Sequence, residues 1–228
     1  MLANELVSAD QMALYAEMRS QVYAFLSHLY TVPPDQEFVK QMQDGGMATA
    51  FNGLLVEEMP EVIQDGVRQI QAYLSDCAKL PAHQVLEDLA VERTRLLRGI
   101  KRGYGPPPPY ESVYHAEEGA GIWQTIAEIK RCYATAGASI PAESGEMADY
   151  IGLEFDFLRY LSEKEAQARR SGQEAEADQW REREEGFLRD HIVTWVPRFC
   201  DLMREDATLS FYRGLAAVTK GFVLSDMV

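Results

Sequence analysis

Four consecutive prolines, Pro106 to Pro109, constrain the fold of this chain more than any other feature of its sequence. Proline fixes φ and donates no backbone N–H, so a run of four ends any helix and holds the backbone extended. The run lies in a connector at 99–121 that holds five glycines and four prolines. Connectors of this length are uncommon inside compact domains and are often functional. We therefore expect a defined junction here, with helices on both sides.

Helical periodicity fills nearly all the rest of the chain, because apolar residues recur at the three- and four-residue steps of a helix face. In the first such pattern they are Leu14, Met18, Val22, Phe25, Leu26 and Leu29. Pro33 and Pro34 end that pattern, and Asp35 is placed to cap the next helix. No alternating strand pattern competes. The sequence predicts an all-α bundle of about eight to ten helices.

The connector also suggests how the chain is divided. We expect a single all-helical domain over residues 1–228, and contacts across the connector would make it so. An N-terminal half at 1–98 and a C-terminal half at 122–228 are the possible subdivisions. No internal repeat at a fixed period indicates a different arrangement.

Three further expectations concern the C-terminal half. Trp123 and Trp195 lie at helical spacing from apolar residues, so both are expected in the core. A helix is expected to begin near Ser144. The segment 163–185 is highly charged and predicts an exposed helical face.

Charge and composition limit the class of partner. A formal net charge of -14 argues against nucleic acid and favours a positively charged partner, although solubility alone also explains it. No apolar run approaches the roughly 20 residues that span a bilayer, and the first residues do not form an export signal. Three cysteines, odd in number and widely spaced, indicate free thiols in a reducing compartment. We expect a cytoplasmic protein.

Common catalytic and metal-binding motifs are missing from the sequence. None of the histidines follows a glutamate by three residues, and neither Cys-x-x-Cys nor His-Glu-x-x-His occurs. Without a Gly-Lys dipeptide there is no P-loop, and the Gly-x-Ser-x-Gly elbow of serine hydrolases is missing too. We predict no catalytic residue, no metal and no cofactor, and hence not an enzyme.

Acidic and aromatic residues follow the proline run and recur about thirty residues later. The candidate binding residues are Pro109, Tyr110, Glu111, Ser112, Tyr114, Glu146, Asp149 and Tyr150. Carboxylates bind the guanidinium fork of arginine through paired, charge-assisted hydrogen bonds, and tyrosine rings can stack on it. These residues together predict a recessed surface for a basic, partly apolar peptide.

Each candidate also has a structural interpretation that the sequence leaves open. Asp149 can favour the positive end of its own helix, and Glu146 can join a capping arrangement with Ser144. Tyr110 and Tyr114 can anchor the connector to the core. The proline run can be a spacer only.

Three blocks of the sequence resemble the TorD/DmsD/NarJ family of maturation chaperones for molybdopterin-containing redox enzymes. The blocks are Arg19 through Pro34, Leu89 through Tyr114 with Pro-Tyr-Glu-Ser-Val-Tyr, and Glu146 through Leu158, which is similar to the family's Glu-Pro-x-Asp-His-x-x-x-Glu-Leu. Phe187, Leu188, His191 and Trp195 also fit a family pattern. Met147 and Tyr150 depart from it, since the family usually has proline and histidine there. The loss of histidine removes a group that titrates near neutral pH.

The resemblance implies a TorD/DmsD-like helical chaperone. Its partner would be the N-terminal signal region, of the twin-arginine type or a remnant of one, of a molybdopterin oxidoreductase catalytic subunit. The candidate residues would bind that region until the cofactor is inserted. The chain would be a monomer or a helix-swapped dimer. The alternative is a helical protein–protein adaptor with no export-linked client.

Overall fold

The computed structural model describes residues 9–53, 59–99, 103–116, 121–140 and 145–226. The helices of the first part are α1 (Ala9–Thr31), α2 (Gln36–Gln43), α3 (Gly46–Gly53), α4 (Glu61–Cys77) and α5 (Ala82–Leu97). Those that follow are α6 (Glu111–Ala116), α7 (Ile122–Thr135), α8 (Ile151–Arg170), α9 (Glu174–Phe187), α10 (Val193–Asp206) and α11 (Ser210–Ser225). A π-helical turn, Leu188–Ile192, joins α9 to α10 in one continuous rod. The all-α prediction is confirmed.

Local signals in the sequence fix the first helix boundaries. α1 ends at Thr31, just before Pro33 and Pro34. Asp35 is the N-cap of α2, where Oδ1 accepts a hydrogen bond of 2.8 Å from the backbone N–H of Phe38. This bond satisfies one of the donors that a helix N-terminus leaves unpaired, as the sequence predicts.

The helices on the two sides of the connector share one core. α1 packs along α8, and α4 packs along α11. Buried apolar residues form a single cluster that extends from Tyr23 to Val223. This packing favours the expectation of one domain.

Two glycine contacts show how closely these helices approach. A Cβ atom on Gly66 of α4 would lie 2.7 Å from the carbonyl oxygen of Gly214 in α11, and one on Gly214 would lie 2.5 Å from the carbonyl oxygen of Gly66. Neither position therefore accepts a side chain without separating the two backbones. Where α8 meets α1, a Cβ on Gly152 would lie 2.2 Å from Oγ1 of Thr31, so the side chain of Thr31 would have to move.

Two features of the helices differ from expectation, namely the start of α8 and a short helix inside the connector. α8 begins at Ile151 rather than near Ser144, which lies outside the described residues. The connector contains a short helix, α6, that periodicity does not reveal. Six residues are too few to show a hydrophobic period, and a tertiary contact caps this helix, as described below.

Two burial predictions are wrong. Trp195 is fully buried, whereas Trp123 is 80% exposed, because the buried face of α7 runs through Ile126, Ile129 and Tyr133 and leaves Trp123 to one side. The charged segment 163–185 is not wholly solvated. Its buried charged residues are Glu165, Arg169 and Glu184.

A residue of α1 neutralises buried charges of the segment 163–185. Arg19 of α1 forms ion pairs with both Glu165 and Glu184, so charges that would be costly alone are neutralised inside the protein.

Among the described helices, none combines the length and apolar character required to cross a membrane.

Candidate functional site

Two short segments, 109–111 and 149–151, pair at the end of the proline run, and we call them the junction. The backbone N–H of Ile151 donates to the carbonyl oxygen of Pro109 at 3.0 Å, and that of Glu111 donates to the carbonyl oxygen of Asp149, also at 3.0 Å. Tyr110 and Tyr150 form an isolated antiparallel β-bridge between the two bonds. The junction therefore joins the connector to the start of α8.

Asp149 caps α6 rather than its own helix. Its Oδ2 accepts a hydrogen bond of 3.1 Å from the backbone N–H of Ser112 in the first turn of α6, while Tyr150 is the N-cap of α8. Asp149 is fully buried. The carboxylate of Asp149 therefore lies at the positive end of α6, whereas the sequence suggested the positive end of its own helix, α8. Oδ1 of Asp149 and Oγ of Ser112 have no hydrogen-bond partner among the described residues.

Glu146 lies at the edge of the junction and is only partly buried. Its Oε1 is 2.6 Å from Nη1 of Arg98, and its Oε2 accepts a hydrogen bond from the hydroxyl of Tyr110. Burial and this contact with Glu146 raise the pKa of Tyr110. Arg98 follows α5 directly and was not expected at the site from the sequence.

Glu111 is almost fully buried and centres a group of titratable side chains that we call the acid–histidine cluster. The cluster consists of Glu111, His115, Glu154 and His191. Nδ1 of His191 lies 3.1 Å from both carboxylate oxygens of Glu111, and Nδ1 of His115 lies 3.3 Å from Oε1. The residues come from α6, α8 and the π-helical turn, so the cluster connects the connector to the C-terminal helices.

Burial and hydrogen bonding determine the pKa values of Glu154 and His191 in this cluster. Burial, together with the nearby charge of Glu111, raises the pKa of Glu154 well above its ordinary value. A neutral Glu154 can donate to Glu111, and its Oε2 accepts from Nε1 of Trp195 at 3.3 Å. Burial acts to lower the pKa of His191, but hydrogen bonds with Cys132 and Glu111 outweigh it and raise the pKa to about 10. His191 is therefore an imidazolium at neutral pH.

Of the remaining tyrosines of the site, Tyr114 anchors the connector and Tyr150 joins the start of α8 to α1. The hydroxyl of Tyr114 donates to the carbonyl oxygen of Pro107 at 2.9 Å, and its ring lies 5.2 Å from that of Trp195. The hydroxyl of Tyr150 donates to the carbonyl oxygen of Tyr30 at 2.6 Å, which satisfies an acceptor at the C-terminus of α1. These contacts fit the anchoring interpretation.

The structure brings all the sequence-predicted residues to one place but buries most of them. Pro109, Glu111, Ser112, Tyr114, Asp149 and Tyr150 are buried. Tyr110 and Glu146 are partly exposed. Binding of a signal by these residues stays a prediction. Glu154 was missed, although a charge between the apolar positions Ile151, Phe155 and Leu158 of α8 could have revealed it.

Two cavities flank α7. The larger, of about 560 Å³, lies between α7 and the rod formed by α9 and the π-helical turn, with Cys132 on one side and His191 on the other. The second, of about 330 Å³, lies between α8 and the segment that follows α7, and has Leu153 and Tyr160 in its wall. Neither is lined by any of the eight predicted residues.

A family model described as "Nitrate reductase delta subunit" matches residues 57–201, a stretch that includes the junction and the acid–histidine cluster. The chain belongs to this family. The chain also resembles "Chaperone protein TorD" of Vibrio cholerae serotype O1, with 21% identity over 218 residues, which cover 95% of this chain and 94% of the relative. "Chaperone protein TorD" of Aliivibrio fischeri is 23% identical over 220 residues, or 96% of this chain and 97% of the relative.

A third relative has a different client in its name. The "Perchlorate reductase assembly chaperone protein" of Dechloromonas aromatica is 25% identical over 210 residues, which cover 90% of this chain and 86% of the relative. The family predicted from the sequence is confirmed. As a member of the nitrate reductase delta subunit family, the chain is a chaperone and not an enzyme.

Proposed function

We propose that the protein is a cytoplasmic chaperone for the catalytic subunit of a molybdopterin-containing oxidoreductase. It binds the N-terminal signal region of that subunit, of the twin-arginine type or a remnant of one, until the cofactor has been inserted. The reductase assembly named for one relative supports this class of client. The net charge of -14 supports a positively charged partner.

The observation that carries the proposal is the ion pair between Glu146 and Arg98 at the edge of the junction. The side chain of Arg98 is 43% exposed, and its Nη1 lies 2.6 Å from Glu146. An exposed ion pair contributes only about 0–1 kcal/mol, so an arginine of a partner can replace Arg98 without a large loss. We assign the position of the Arg98 guanidinium to one arginine of the signal.

Asp149 offers a second carboxylate close by. Its buried Oδ1 lacks a hydrogen-bond partner among the described residues, and an unpaired buried acceptor is unfavourable. A guanidinium that reached this atom would form a charge-assisted hydrogen bond. Because Asp149 is fully buried, such a contact requires the two junction segments to separate locally.

The apolar part of a signal requires a surface of its own. The cavity of about 330 Å³ lies close to the junction, since Leu153 in its wall is three residues after Tyr150 and Tyr133 donates a hydrogen bond to the carbonyl oxygen of Ala148. Burial of one large apolar side chain contributes about 1.5–3 kcal/mol. Charge would direct the signal to Glu146, and apolar burial would supply most of the affinity.

Titration calorimetry with a synthetic twin-arginine peptide tests the proposal. We expect binding heat from the arginine peptide and weaker binding by its Lys-Lys variant, because lysine lacks the planar fork that pairs with a carboxylate. Glu146→Gln should weaken arginine-peptide binding by about tenfold or more. Glu17→Gln, which removes an exposed carboxylate paired with Arg170, is the matched control and should leave affinity unchanged. Heat that equals that of a scrambled peptide would favour an adaptor with another partner.

Arg98→Ala tests whether Arg98 competes with the signal. If it does, its removal should strengthen binding of the arginine peptide by a few-fold, because Glu146 no longer has to exchange partners. Arg68→Ala, at another exposed arginine with a carboxylate neighbour, should change nothing. If Arg98→Ala bound the arginine peptide more weakly, Arg98 would be part of the binding surface. That result would contradict the replacement of Arg98 by an arginine of the signal.

A further inference from the structure

The three cysteines of the chain lie in unlike surroundings. All are free thiols, and Cys77 and Cys200 are buried in the core, where burial raises the pKa of both. Cys132 is half-buried on α7 and lines the cavity of about 560 Å³. Of these sulfur atoms, it is the one that a small molecule in a cavity can reach.

Cys132, His191 and Glu111 form a connected row of side chains. Sγ of Cys132 lies 3.8 Å from Nε2 of His191, and Nδ1 of the same ring lies 3.1 Å from Glu111. Glu111 thereby orients the ring and holds a proton on it. A histidine beside a cysteine and held by a carboxylate is the arrangement that assists a cysteine nucleophile.

The cavity next to this row has an apolar base and charged edges of both signs. Phe157 and Phe187 contribute rings, while the charged side chains in the wall are Glu128, Arg131, Arg183 and Asp190. A molecule that carries both carboxylates and an ammonium group matches such edges. The side chain of Arg131 is 74% exposed, and its nearest carboxylate contact, to Glu128, is 3.7 Å long.

Gly186 keeps this cavity open. It lies inside α9, where glycine is less stable than alanine, yet a Cβ placed on it would meet only the end of the Arg189 side chain, at 3.8 Å. Gly66 and Gly214 are required by close backbone contact, and Gly186 is not. A side chain here would project from the cavity wall, so the packing around Gly186 leaves space for a ligand.

We propose that Cys132 is a site of thiol–disulfide exchange with a small zwitterionic disulfide, of which oxidised glutathione is the representative, bound in this cavity. The thiolate of Cys132 attacks one sulfur of the disulfide. The original S–S bond breaks, a new one forms to Cys132, and the other half leaves as a thiolate that takes a proton from His191 or from water. The sulfur of Cys132 is oxidised and the departing half is reduced, so no other reactant is needed.

The first test treats the reduced full-length protein with oxidised glutathione near neutral pH and maps the products by peptide mass spectrometry. We expect one glutathionyl group per chain, on Cys132, with a rate at least tenfold above that of a short cysteine peptide. Cys77 and Cys200 should react only after denaturation. Equal modification of all three cysteines in the folded protein, or none at Cys132, would overturn the proposal.

Two histidine variants test the activating contact. His191→Gln should slow the reaction of Cys132 by about tenfold or more, both with oxidised glutathione and with iodoacetamide. His115→Gln is the matched control, because His115 contacts the same Glu111 carboxylate from α6 but is not the histidine next to Cys132. Circular dichroism melting establishes that both variants fold. An equal slowing by the two substitutions, or none by His191→Gln, would contradict a direct action of His191.

Gly186→Leu tests the cavity separately. By filling the space next to Phe187, it should slow the reaction with oxidised glutathione by about fivefold or more and leave iodoacetamide alkylation of Cys132 within about twofold. Arg131→Gln combined with Arg183→Gln should have the same selective effect through lost charge contacts. Unchanged glutathione kinetics in both variants would rule out binding in this cavity.

Discussion

Two of the groups of buried charges among the described residues are neutralised in different ways. Between α1, α8, α9 and the end of α11, carboxylates pair with arginines, whose charge is fixed. We call this group the arginine network; it consists of Arg19, Glu165, Arg169, Arg181, Glu184 and Asp226. At the junction, the acid–histidine cluster has only histidines and a shared carboxyl proton to balance Glu111. Arginine keeps its charge at every physiological pH, so the pairs of the arginine network stay charged. Histidine and carboxyl groups gain and lose protons, so the acid–histidine cluster can change its charge when its surroundings change.

The largest expected effect comes from replacing one buried glutamate in each group by glutamine. Glu184 is fully buried, accepts a hydrogen bond of 3.0 Å from Arg19, and has its pKa raised by burial while Arg19 opposes the shift. Glu184→Gln should lower the free energy of unfolding by about 3 kcal/mol, because it removes the fully buried carboxylate with which both Arg19 and Arg181 pair. Glu154→Gln should cost less than about 1 kcal/mol, because burial raises the pKa of Glu154 well above its ordinary value and so favours the neutral carboxyl group. Urea denaturation near neutral pH measures both.

Equal destabilisation by Glu184→Gln and Glu154→Gln would contradict the difference between the arginine network and the acid–histidine cluster. That result would mean that Glu154 carries a negative charge in the folded protein and that the junction depends on fixed charges as well.

The second expected effect is a pH dependence that belongs to the acid–histidine cluster. The pKa of His191 is raised from 6.5 to about 10 on folding, so the folded state binds this proton more tightly. That contribution to stability is complete below pH 6.5 and is lost as the pH rises through about 10. The slope of the unfolding free energy from one proton cannot exceed about 1.4 kcal/mol per pH unit. Urea denaturation from pH 6.5 to about 8 measures it, below the range in which the thiols of Cys77 and Cys200 titrate in the unfolded chain.

His191→Gln should flatten the slope between these pH values. His83→Gln, at an exposed histidine near the start of α5, is the control and should keep it. A slope that persists in His191→Gln would place the titrating group outside the acid–histidine cluster.

The smallest expected effect concerns Asp149, which lies between a structural cap and a binding group. Asp149→Ala should lower the free energy of unfolding by about 1 kcal/mol, because α6 loses its N-terminal acceptor. Asp149→Asn should lose less, since the amide oxygen still accepts from Ser112. Thermal denaturation compares them, with Asp35→Ala as a second capping variant on an exposed helix.

Peptide binding by Asp149→Asn then separates the two roles. Weaker binding at nearly unchanged stability would assign the charge of Asp149 to the signal. Unchanged binding would restrict Asp149 to the cap.

The sequence predicts the helices well because their signals are local. The capping carboxylate of Asp35, the stop at Pro33 and the turn at Gly172, where φ is +70°, each act within a few residues. α6 could not be predicted in this way, because its cap is Asp149, which lies far along the chain. Trp123 was misplaced since its spacing to Ile126 fits a buried face without identifying which side of α7 is covered.

The candidate site was predicted as a group of residues but not as a buried one. Family motifs placed Glu111, Asp149 and Tyr150 together, and the structure does so too. Their burial depends on partners that the sequence does not connect to them, such as Tyr30 for Tyr150 and His191 for Glu111. Arg98 was missed because one arginine at the end of a helix carries no signal of a carboxylate at Glu146.

The contact between Gly66 and Gly214 has a consequence for how the chain is made in the cell. α4 leaves the ribosome early, but the groove that it presents is filled only by α11, which is synthesised after every other described helix. During translation, apolar residues such as Ile63, Val67 and Ile70 therefore stay uncovered for most of the synthesis time. A chaperone of this family is thus itself exposed to aggregation until its own α11 has emerged.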